Sequence, residues 1–362
     1  MVTLKEIARE CGVSTATVSN ILNGKKNVSS KTRDKVMQAV QKYGYRPNML
    51  AKGLRKQRTY TIGLIVEDFT QFTVPFIVDG AMLAAERKGY RTVVQNLRLY
   101  ARWHGSWFDN DRLVNTVLRP AVQELLSINV DGILYVAGHG RKIVLPDTSG
   151  TPIVLVYAQP ADDETPYTII NDSMAAYYAT RYLTLRGHRK IGVIAGELDN
   201  MHTQLRLQGY QQALYEASIL YNPGLVISGS WLKEGGFRAI GTLIGQGVSA
   251  VFCMSDRMAG GVYQYCYQNN IRIGDELSII GFDNEMISEY YVPGLTTMEI
   301  PLLRFGENAA TQLFDRIEED EAWKKTCFRP ELGDELTEDG HGIMLGCRLV
   351  ERDSVKDLRK NI

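Results

Sequence analysis

The 362-residue sequence has few cysteines and no long apolar run. Its cysteines are scattered and odd in number, which argues against a disulfide framework and against a Cys-x-x-Cys zinc site. No stretch approaches the ~18 consecutive apolar residues that a membrane span requires. The first residues, MVTLKEIARECGV, contain no apolar signal core, so we expect a cytoplasmic protein rather than a secreted one.

Motifs of catalysis are also missing. The sequence has no GxSxG nucleophile elbow, no GxxxxGK[ST] phosphate loop and no GxGxxG after a predicted strand. Its histidines follow no metal-ligand spacing. Gly260-Gly261 falls within a helical stretch, where close packing explains it better than a nucleotide site does. We therefore expect no enzyme, no metal site and no cofactor.

Charge is distributed unevenly along the chain. The 41 Lys and Arg balance the 41 Asp and Glu, but residues 1–58 hold 13 basic and 3 acidic side chains. The remainder carries 28 basic and 38 acidic side chains. A basic head on an acidic body is typical of a polyanion-binding module, although charge alone leaves a solvated basic tail equally open. The length suggests two or three domains.

The head has the pattern of three short helices. Thr3 and Glu6 form a capping box, and Gly12 suits the left-handed turn that ends the first helix. Ser14 is a good N-cap for the second helix, and a third helix is predicted from about Ser30 to Gly44. Apolar residues recur at helical spacing, which a disordered tail would not show; they are Leu4, Ile7, Ala8, Cys11, Val18, Ile21, Leu22, Val36 and Val40.

The spacing between the first two helices is the specific signal. Small Ala8 allows close approach, Gly12 makes the turn, and Val18 fixes the crossing, as in a helix-turn-helix. The sequence resembles the LacI/GalR family of bacterial regulators over nearly its whole length. The resemblance rests first on Val2–Ala8, Gly12-Val13-Ser14, Thr17-Val18-Ser19, Leu22-Asn23-Gly24, Val28–Arg33 and Tyr43–Asn48.

The resemblance places the base-reading side chains at the start of the second helix, which enters the major groove. These are Thr15, Ala16 and Asn20; Asn can read adenine, whereas Thr and Ala offer methyl contacts to thymine. Ordinary first-turn helix residues are the alternative for Thr15 and Ala16. Short polar groups near helix starts are candidate phosphate contacts, with simple capping as the alternative; they are Thr3, Thr17, Ser19, Asn23, Ser29, Thr32 and Tyr45.

Residues 47–59 are predicted to form a hinge between head and body. By resemblance, this segment becomes helical only when two copies meet on DNA, and Leu54 is the wedge inserted in the minor groove. Lys52 and Arg55 would flank that wedge. A flexible basic linker with Leu54 loosely packed is the alternative.

From Tyr60 onward, short apolar strands alternate with helices, which predicts parallel sheets covered on both faces. The resemblance implies a two-lobe α/β core like that of the periplasmic binding proteins, behind an all-α helix-turn-helix domain. We predict a head at 1–46, a core at 60–352 and a tail at 353–362. The first lobe would take 60–160 and 294–325, and the second 161–293 and 326–352.

Ligands of open α/β sheets bind at the carboxyl ends of the strands. That rule and the resemblance predict the effector residues Glu67, Asp68, Phe72, Tyr157, His202, Arg206, Ser255, Asp256 and Asp283. His139, Gln159 and Asn200 also follow strands. Arg206 and Asp283 are the family's cleft Arg and Asp and suit a hydroxyl-rich ligand, unless they form an interlobe salt bridge.

Two stretches depart from the family pattern. Residues 97–115 hold Tyr100, Trp103, Trp107 and Phe108. These aromatics could stack on a sugar or glycan, but we favour packing against a helix or another subunit. We expect the acidic insert 333–342 to be a solvated loop.

Together these observations predict a ligand-responsive DNA-binding transcriptional regulator, a repressor that binds a pseudo-palindromic operator as a homodimer. Its effector would be a small sugar. The alternatives are a regulator of the same fold that senses a nucleoside or a protein partner, and a stand-alone solute-binding protein. The last would leave the head unexplained and would need an export signal.

Overall fold

The structure is a computed structural model that describes residues 3–22, 28–44, 58–108, 110–318, 331, 333–337 and 339–361. The chain divides into two compact units, Met1–Tyr60 and Thr61–Ile362. We call the first unit the head and the second the body. Across the described ranges, no helix is long and apolar enough to cross a membrane.

The described part of the head contains the helices α1 (Leu4–Cys11), α2 (Thr15–Leu22) and α3 (Ser30–Lys42). The predicted capping box is confirmed, since Thr3 Oγ1 accepts from the Glu6 amide at 3.3 Å and Glu6 accepts from the Thr3 amide at 2.7 Å. Gly12 adopts the left-handed conformation, with a φ of 63°. One apolar cluster holds the helices together; it contains Ile7, Ala8, Cys11, Val18, Ile21, Val36 and Ala39.

The body alternates strands and helices, as the apolar pattern predicts. Its strands are β1 (Thr61–Val66), β2 (Arg91–Asn96), β3 (Gly132–Val136), β4 (Lys142–Ile143), β5 (Ile153–Val156), β6 (Gln159–Pro160), β7 (Tyr167–Ile170), β8 (Ile191–Ala195), β9 (Val226–Ser228), β10 (Ala250–Cys253), β11 (Ser278–Asp283), β12 (Thr296–Glu299), β13 (Glu335–Leu336), β14 (Gly342–Leu345) and β15 (Arg348–Val350). Its helices are α4 (Thr73–Arg87), α5 (Leu99–Trp103), α6 (Asp111–Ser127), α7 (Asp172–Leu185), α8 (Met201–Glu216), α9 (Lys233–Gly245), α10 (Asp256–Gln268), α11 (Ile287–Tyr290) and α12 (Leu302–Ile317).

Most of the strands form two mainly parallel sheets, one in each lobe, while β4 and β6 pair in a separate two-stranded sheet. The first lobe has a seven-stranded sheet in the order β13-β14-β7-β5-β3-β1-β2, and the second has a six-stranded sheet in the order β15-β12-β11-β10-β8-β9. The edge strand β13 pairs antiparallel with β14, and the edge strand β15 pairs antiparallel with β12. Strands such as β1 are buried along their whole length, as expected for sheets covered on both faces.

Four strands lie in a different lobe from the one that the sequence predicts. β7, β13 and β14 fall within the ranges predicted for the second lobe but join the first sheet, where β14 pairs with both β7 and β13. β12 falls within the range predicted for the first lobe but pairs with β11 of the second. Both sheets bury both faces, so an apolar run does not reveal which sheet it joins. The chain therefore crosses between lobes near residues 171, 300 and 346.

The acidic insert is only partly a solvated loop, because Glu335, Leu336 and Asp339 are exposed whereas Asp334 is not. Asp334 is buried and accepts hydrogen bonds from Arg304 Nη2 at 2.5 Å and from the Gly346 amide at 2.7 Å. Asn171 Nδ2 donates to the carbonyl of neighbouring Gly333 at 3.0 Å. Because a buried carboxylate needs such partners, the insert is fixed to segments beside the interlobe crossings.

Gly261 belongs to a close helix crossing, as we favoured over a nucleotide site. A Cβ built on it would lie 2.0 Å from the carbonyl oxygen of Lys233, at the start of α9. A Cβ on Gly236 would lie 2.0 Å from the carbonyl oxygen of Met258 in α10. The two helices approach so closely that neither position has room for a larger residue.

Candidate DNA-reading surface and effector cleft

The head presents the predicted base-reading residues near the start of α2. Thr15 and Ala16 are exposed, and Asn20 is half-buried. Ser14 caps this helix, with its Oγ accepting from the Thr17 amide at 3.0 Å. The inner face of α2 is held by Val18, which is fully buried. Its outer face is therefore held in a fixed orientation and can contact a partner.

Several candidate phosphate contacts also act as caps. Thr3 belongs to the capping box, and Ser29 Oγ accepts from the Thr32 amide at 3.3 Å. Thr17 Oγ1 lies 2.9 Å from Ser14 Oγ. Ser19 is half-buried. The remaining predicted DNA contacts lie outside the described residues; they are Asn23, Tyr45, Lys52, Leu54 and Arg55.

A cleft in the body opens at the carboxyl ends of its strands. Six of the predicted effector residues line it; they are Phe72, Tyr157, His202, Arg206, Ser255 and Asp283. His139 and Asn200 also line it, together with residues we did not predict; these are Gln71, Thr73, Gly138, Trp231, Arg257 and Glu285. Gln159 is not among the lining residues. The cleft encloses about 110 Å³, whereas sites for drug-sized ligands start at roughly 300 Å³.

Arg206 is fixed in the cleft by a buried carboxylate. Its Nε donates to Asp172 Oδ1 at 2.7 Å, and its Nη1 donates to the carbonyl of Met254 at 2.6 Å. The guanidinium carbon lies 3.5 Å from the ring centroid of Phe282. Burial raises the pKa of Asp172, but His202 and Arg206 outweigh it, so the pKa lies below its ordinary value. The described contacts leave further guanidinium donors for a ligand.

Two other carboxyl groups of the second lobe are deeply buried. Burial raises the pKa of Asp283 well above its ordinary value, although Arg206 opposes the shift. Burial likewise raises the pKa of Asp256, to about 8. Asp256 accepts from Thr297 Oγ1 at 2.6 Å and from the Glu285 amide at 2.9 Å. Asp256 does not line the cleft, so its placement favours a structural role over the predicted effector contact.

Glu67 and Asp68 also lie behind the cleft rather than in it. Glu67 is fully buried and accepts from Tyr135, from the Gly138 amide and from Arg141, at 2.8, 2.8 and 2.9 Å. Asp68 accepts from the Tyr100 amide at 3.0 Å and from the amide of Thr70 at 3.0 Å. Their carboxylates hold the loops of the cleft, which differs from the direct effector contact we predicted.

The aromatic stretch packs behind the same loops. Trp107 is fully buried and stacks on Phe108 with ring centroids 4.4 Å apart. The Tyr100 hydroxyl lies 2.5 Å from His139 Nε2. Burial lowers the pKa of His139 to about 3, so this cleft residue is neutral at neutral pH. The packing alternative therefore describes this segment better than direct stacking on a sugar.

The sequence pattern does not predict three residues that are important to the cleft. Asp172 begins α7 just after β7, a position that could have suggested a site residue. Arg257 follows the predicted Ser255 and Asp256, and forms a bidentate pair with Glu285. Trp231 follows β9 and adopts a positive φ of 62°. No signal in the sequence showed that its ring would lie beside Arg206.

A larger cavity of about 600 Å³ lies beside the interlobe crossings. Among its lining residues, Arg348 already pairs with Glu299 and Arg304 with Glu331. Most of its remaining wall is apolar. The strand ends and the buried polar groups converge instead on the smaller cleft. Among the described side chains, no group of His, Cys, Asp and Glu is arranged to hold a metal ion.

Family models match both units of the chain. Residues 3–48 match the model for bacterial regulatory proteins of the lacI family, and residues 180–355 match that for a periplasmic binding protein-like domain. The HTH-type transcriptional repressor PurR of Vibrio cholerae is 31% identical over 100% of both chains. The ribose operon repressor of Haemophilus influenzae is 34% identical over 88% of this chain and 92% of its own.

Solved structures show the same architecture. The lac repressor dimer bound to operator and an anti-inducer has a TM-score of 0.74 at 23% identity, and covers 98% of this chain and 99% of that one. The complex of the regulator CelR with cellobiose has a TM-score of 0.63 at 27% identity, and covers 98% and 100%. The predicted fold, a helix-turn-helix head and a two-lobe α/β body, is confirmed, and the chain belongs to the lacI family of bacterial regulatory proteins.

Proposed function

We propose that the protein is a cytoplasmic transcriptional repressor that binds operator DNA as a homodimer. Binding of a small effector would change its affinity for the operator. The observation that carries this proposal is the full-length similarity to repressors, with the predicted reading residues at the exposed start of α2. The operator would be pseudo-palindromic, because a two-fold dimer presents two identical heads.

The head supplies the chemistry that DNA binding requires. Thr15, Ala16 and Asn20 would read base edges, while the short polar groups around the helix starts would contact phosphates. The excess of basic over acidic side chains in residues 1–58 would attract the duplex. Leu54, with Lys52 and Arg55, would insert in the minor groove at the centre of the operator.

The effector that fits the cleft best is a monosaccharide. Arg206, Asp283 and Asn200 offer donors and acceptors for several hydroxyls, and Trp231 offers a flat apolar face. A cleft of about 110 Å³ suits a small ligand. The similarity to a ribose operon repressor and to a regulator that binds cellobiose favours a sugar in general over other small molecules.

Selection from random duplexes tests DNA binding. The full-length protein should enrich an inverted repeat, and its affinity should fall steeply as salt rises, because phosphate contacts release counterions. Leu54→Ala should weaken preference for the enriched site and leave sugar binding intact. If no preferred sequence is recovered, or if the DNA affinity does not depend on salt concentration, the repressor proposal is refuted.

A thermal-shift screen tests the effector class. Free sugars, phosphorylated sugars and nucleosides should be compared on the wild type and on Arg206→Gln. We expect stabilisation by a sugar in the wild type alone, because a ligand that binds the native state raises the melting temperature. Stabilisation by nucleosides only would overturn the sugar proposal and leave the repressor proposal standing.

A further inference from the structure

His202 of the second lobe makes one hydrogen bond within its own lobe and one to the first lobe. Nδ1 lies 2.6 Å from Asp172 Oδ2 within the second lobe. Nε2 lies 3.0 Å from the amide nitrogen of Gly140, in the loop that follows β3 of the first lobe. A carboxylate and an amide fix the roles of the two nitrogens: Nδ1 donates to Asp172, and Nε2 accepts from Gly140.

These two hydrogen bonds leave the imidazole no polar atom for an effector. His202 lines the cleft, and its ring centroid lies 5.5 Å from that of Tyr157. Each ring nitrogen makes its one hydrogen bond to the protein. An effector could bond His202 only by displacing the Gly140 amide, so the predicted role of direct effector ligand does not fit this geometry.

The loop that carries Gly140 is fixed to its own lobe at each neighbouring residue. Gly138 donates its amide to Glu67, and Arg141 donates its guanidinium to the same carboxylate. His139 pairs with the hydroxyl of Tyr100. Of these successive residues, Gly140 is the one whose amide reaches the other lobe. The first lobe therefore presents this amide to His202 from a rigid support.

Gly140 has no room for a side chain. A Cβ built at this position would lie 2.3 Å from His202 Nε2 and 2.7 Å from Cε1. Such contacts are far inside the normal separation of non-bonded atoms. The close approach of the lobes at this point thus depends on a glycine on one side and an imidazole on the other.

We propose that Asp172, His202 and Gly140 form an interlobe latch that holds the cleft closed, and that His202 is a positioning residue rather than an effector ligand. The second oxygen of Asp172 binds Arg206, so the latch shares its carboxylate with the cleft arginine. An effector that forms hydrogen bonds with Arg206 therefore also affects the carboxylate that orients His202. This regulatory role rests on the proposed function, whereas the latch itself can be tested without DNA or sugar.

Hydrogen exchange of the ligand-free, full-length protein tests the latch. His202→Phe keeps a ring but removes both nitrogens, so the Gly140 amide should exchange about tenfold faster, as expected when a hydrogen bond of typical strength is lost. His341→Phe is the matched control, since the described structure gives its side chain no hydrogen bond, and it should leave this amide unchanged. Unchanged exchange of Gly140 in His202→Phe would overturn the proposal.

A second variant breaks the latch from the other lobe. Gly140→Ala should displace the His202 ring, and Gly105→Ala is its control because a Cβ there would meet Phe108 at an ordinary 3.7 Å. Dyes attached through noncanonical amino acids at the exposed Glu124 and Arg238 would report the distance between the lobes. We expect Gly140→Ala and His202→Phe to lengthen it and both controls to leave it unchanged. Equal distances in all variants would refute closure by the latch, whatever the DNA and sugar assays show.

Discussion

Oδ1 of Asp172 accepts a hydrogen bond from Nε of Arg206 at 2.7 Å, and both side chains are almost completely buried. Charges removed from water in this way are stable only as a pair. The pair stands where the chain passes from β7 of the first lobe to α7 of the second. The pair places the guanidinium of Arg206 beside the cleft and anchors it to a segment that crosses between the lobes.

Removing the cation should therefore destabilise the protein. We expect Arg206→Leu to lower the free energy of unfolding by about 3 kcal/mol, because it leaves a buried carboxylate without its strongest partner. Urea unfolding measures the effect. Arg272→Leu, at an exposed arginine paired with Asp275 and Glu276, is the control and should leave stability unchanged. Equal stability of the two variants would contradict this account of the pair.

Operator readout should depend on Asn20 at a single base position. Asn20→Ala should cost about 1–3 kcal/mol of discrimination at one position of each half-site, with little change in non-specific affinity. Fluorescence anisotropy on duplexes that vary one base pair at a time measures this. Gln38→Ala, at an exposed position of α3, is the control. A uniform loss of affinity across all duplexes would show that Asn20 contacts the backbone instead.

The buried neutral His139 should make the protein sensitive to acid. Its pKa is lowered to about 3 in the folded state, so the unfolded chain binds the proton first as pH falls below about 6.5. The stability that this group contributes is present above about pH 6.5 and is lost as pH falls toward 3.

The test compares His139→Gln with the wild type in urea at pH 7 and pH 5. Glutamine can still accept from the Tyr100 hydroxyl but does not titrate. The wild type should lose about 2 kcal/mol more than the variant over this interval. His341→Gln should retain the acid sensitivity of the wild type. Identical pH dependence of wild type and His139→Gln would contradict the buried neutral state.

The crossing of α9 and α10 should tolerate no side chain at Gly261. Gly261→Ala would push a methyl group to 2.0 Å from the carbonyl oxygen of Lys233, so we expect a loss of about 1–3 kcal/mol. Gly245→Ala is the matched control at the end of α9, where a Cβ meets nothing within 4 Å. It should be neutral or stabilise by up to about 1 kcal/mol. Thermal unfolding of both variants measures these two changes in stability.

The sequence determined the features that depend on near neighbours along the chain. The capping box of Thr3 and Glu6, the turn at Gly12 and the buried stripe of Ile7, Ala8 and Val18 follow from short-range hydrogen bonds and helical periodicity. The alternation of strands and helices likewise predicted two sheets and a cleft at their carboxyl ends.

Contacts between distant segments set which sheet each strand joins and which polar side chains face the cleft. β7, β12 and β14 are all short and largely buried, and β7 pairs with β14 from a distant part of the chain. Glu67 and Asp256 follow strands as Asp283 does, yet they turn to buried donors instead of the cleft. The difference arises from long-range contacts, since a carboxylate points to whichever donors the packed lobes bring within its reach.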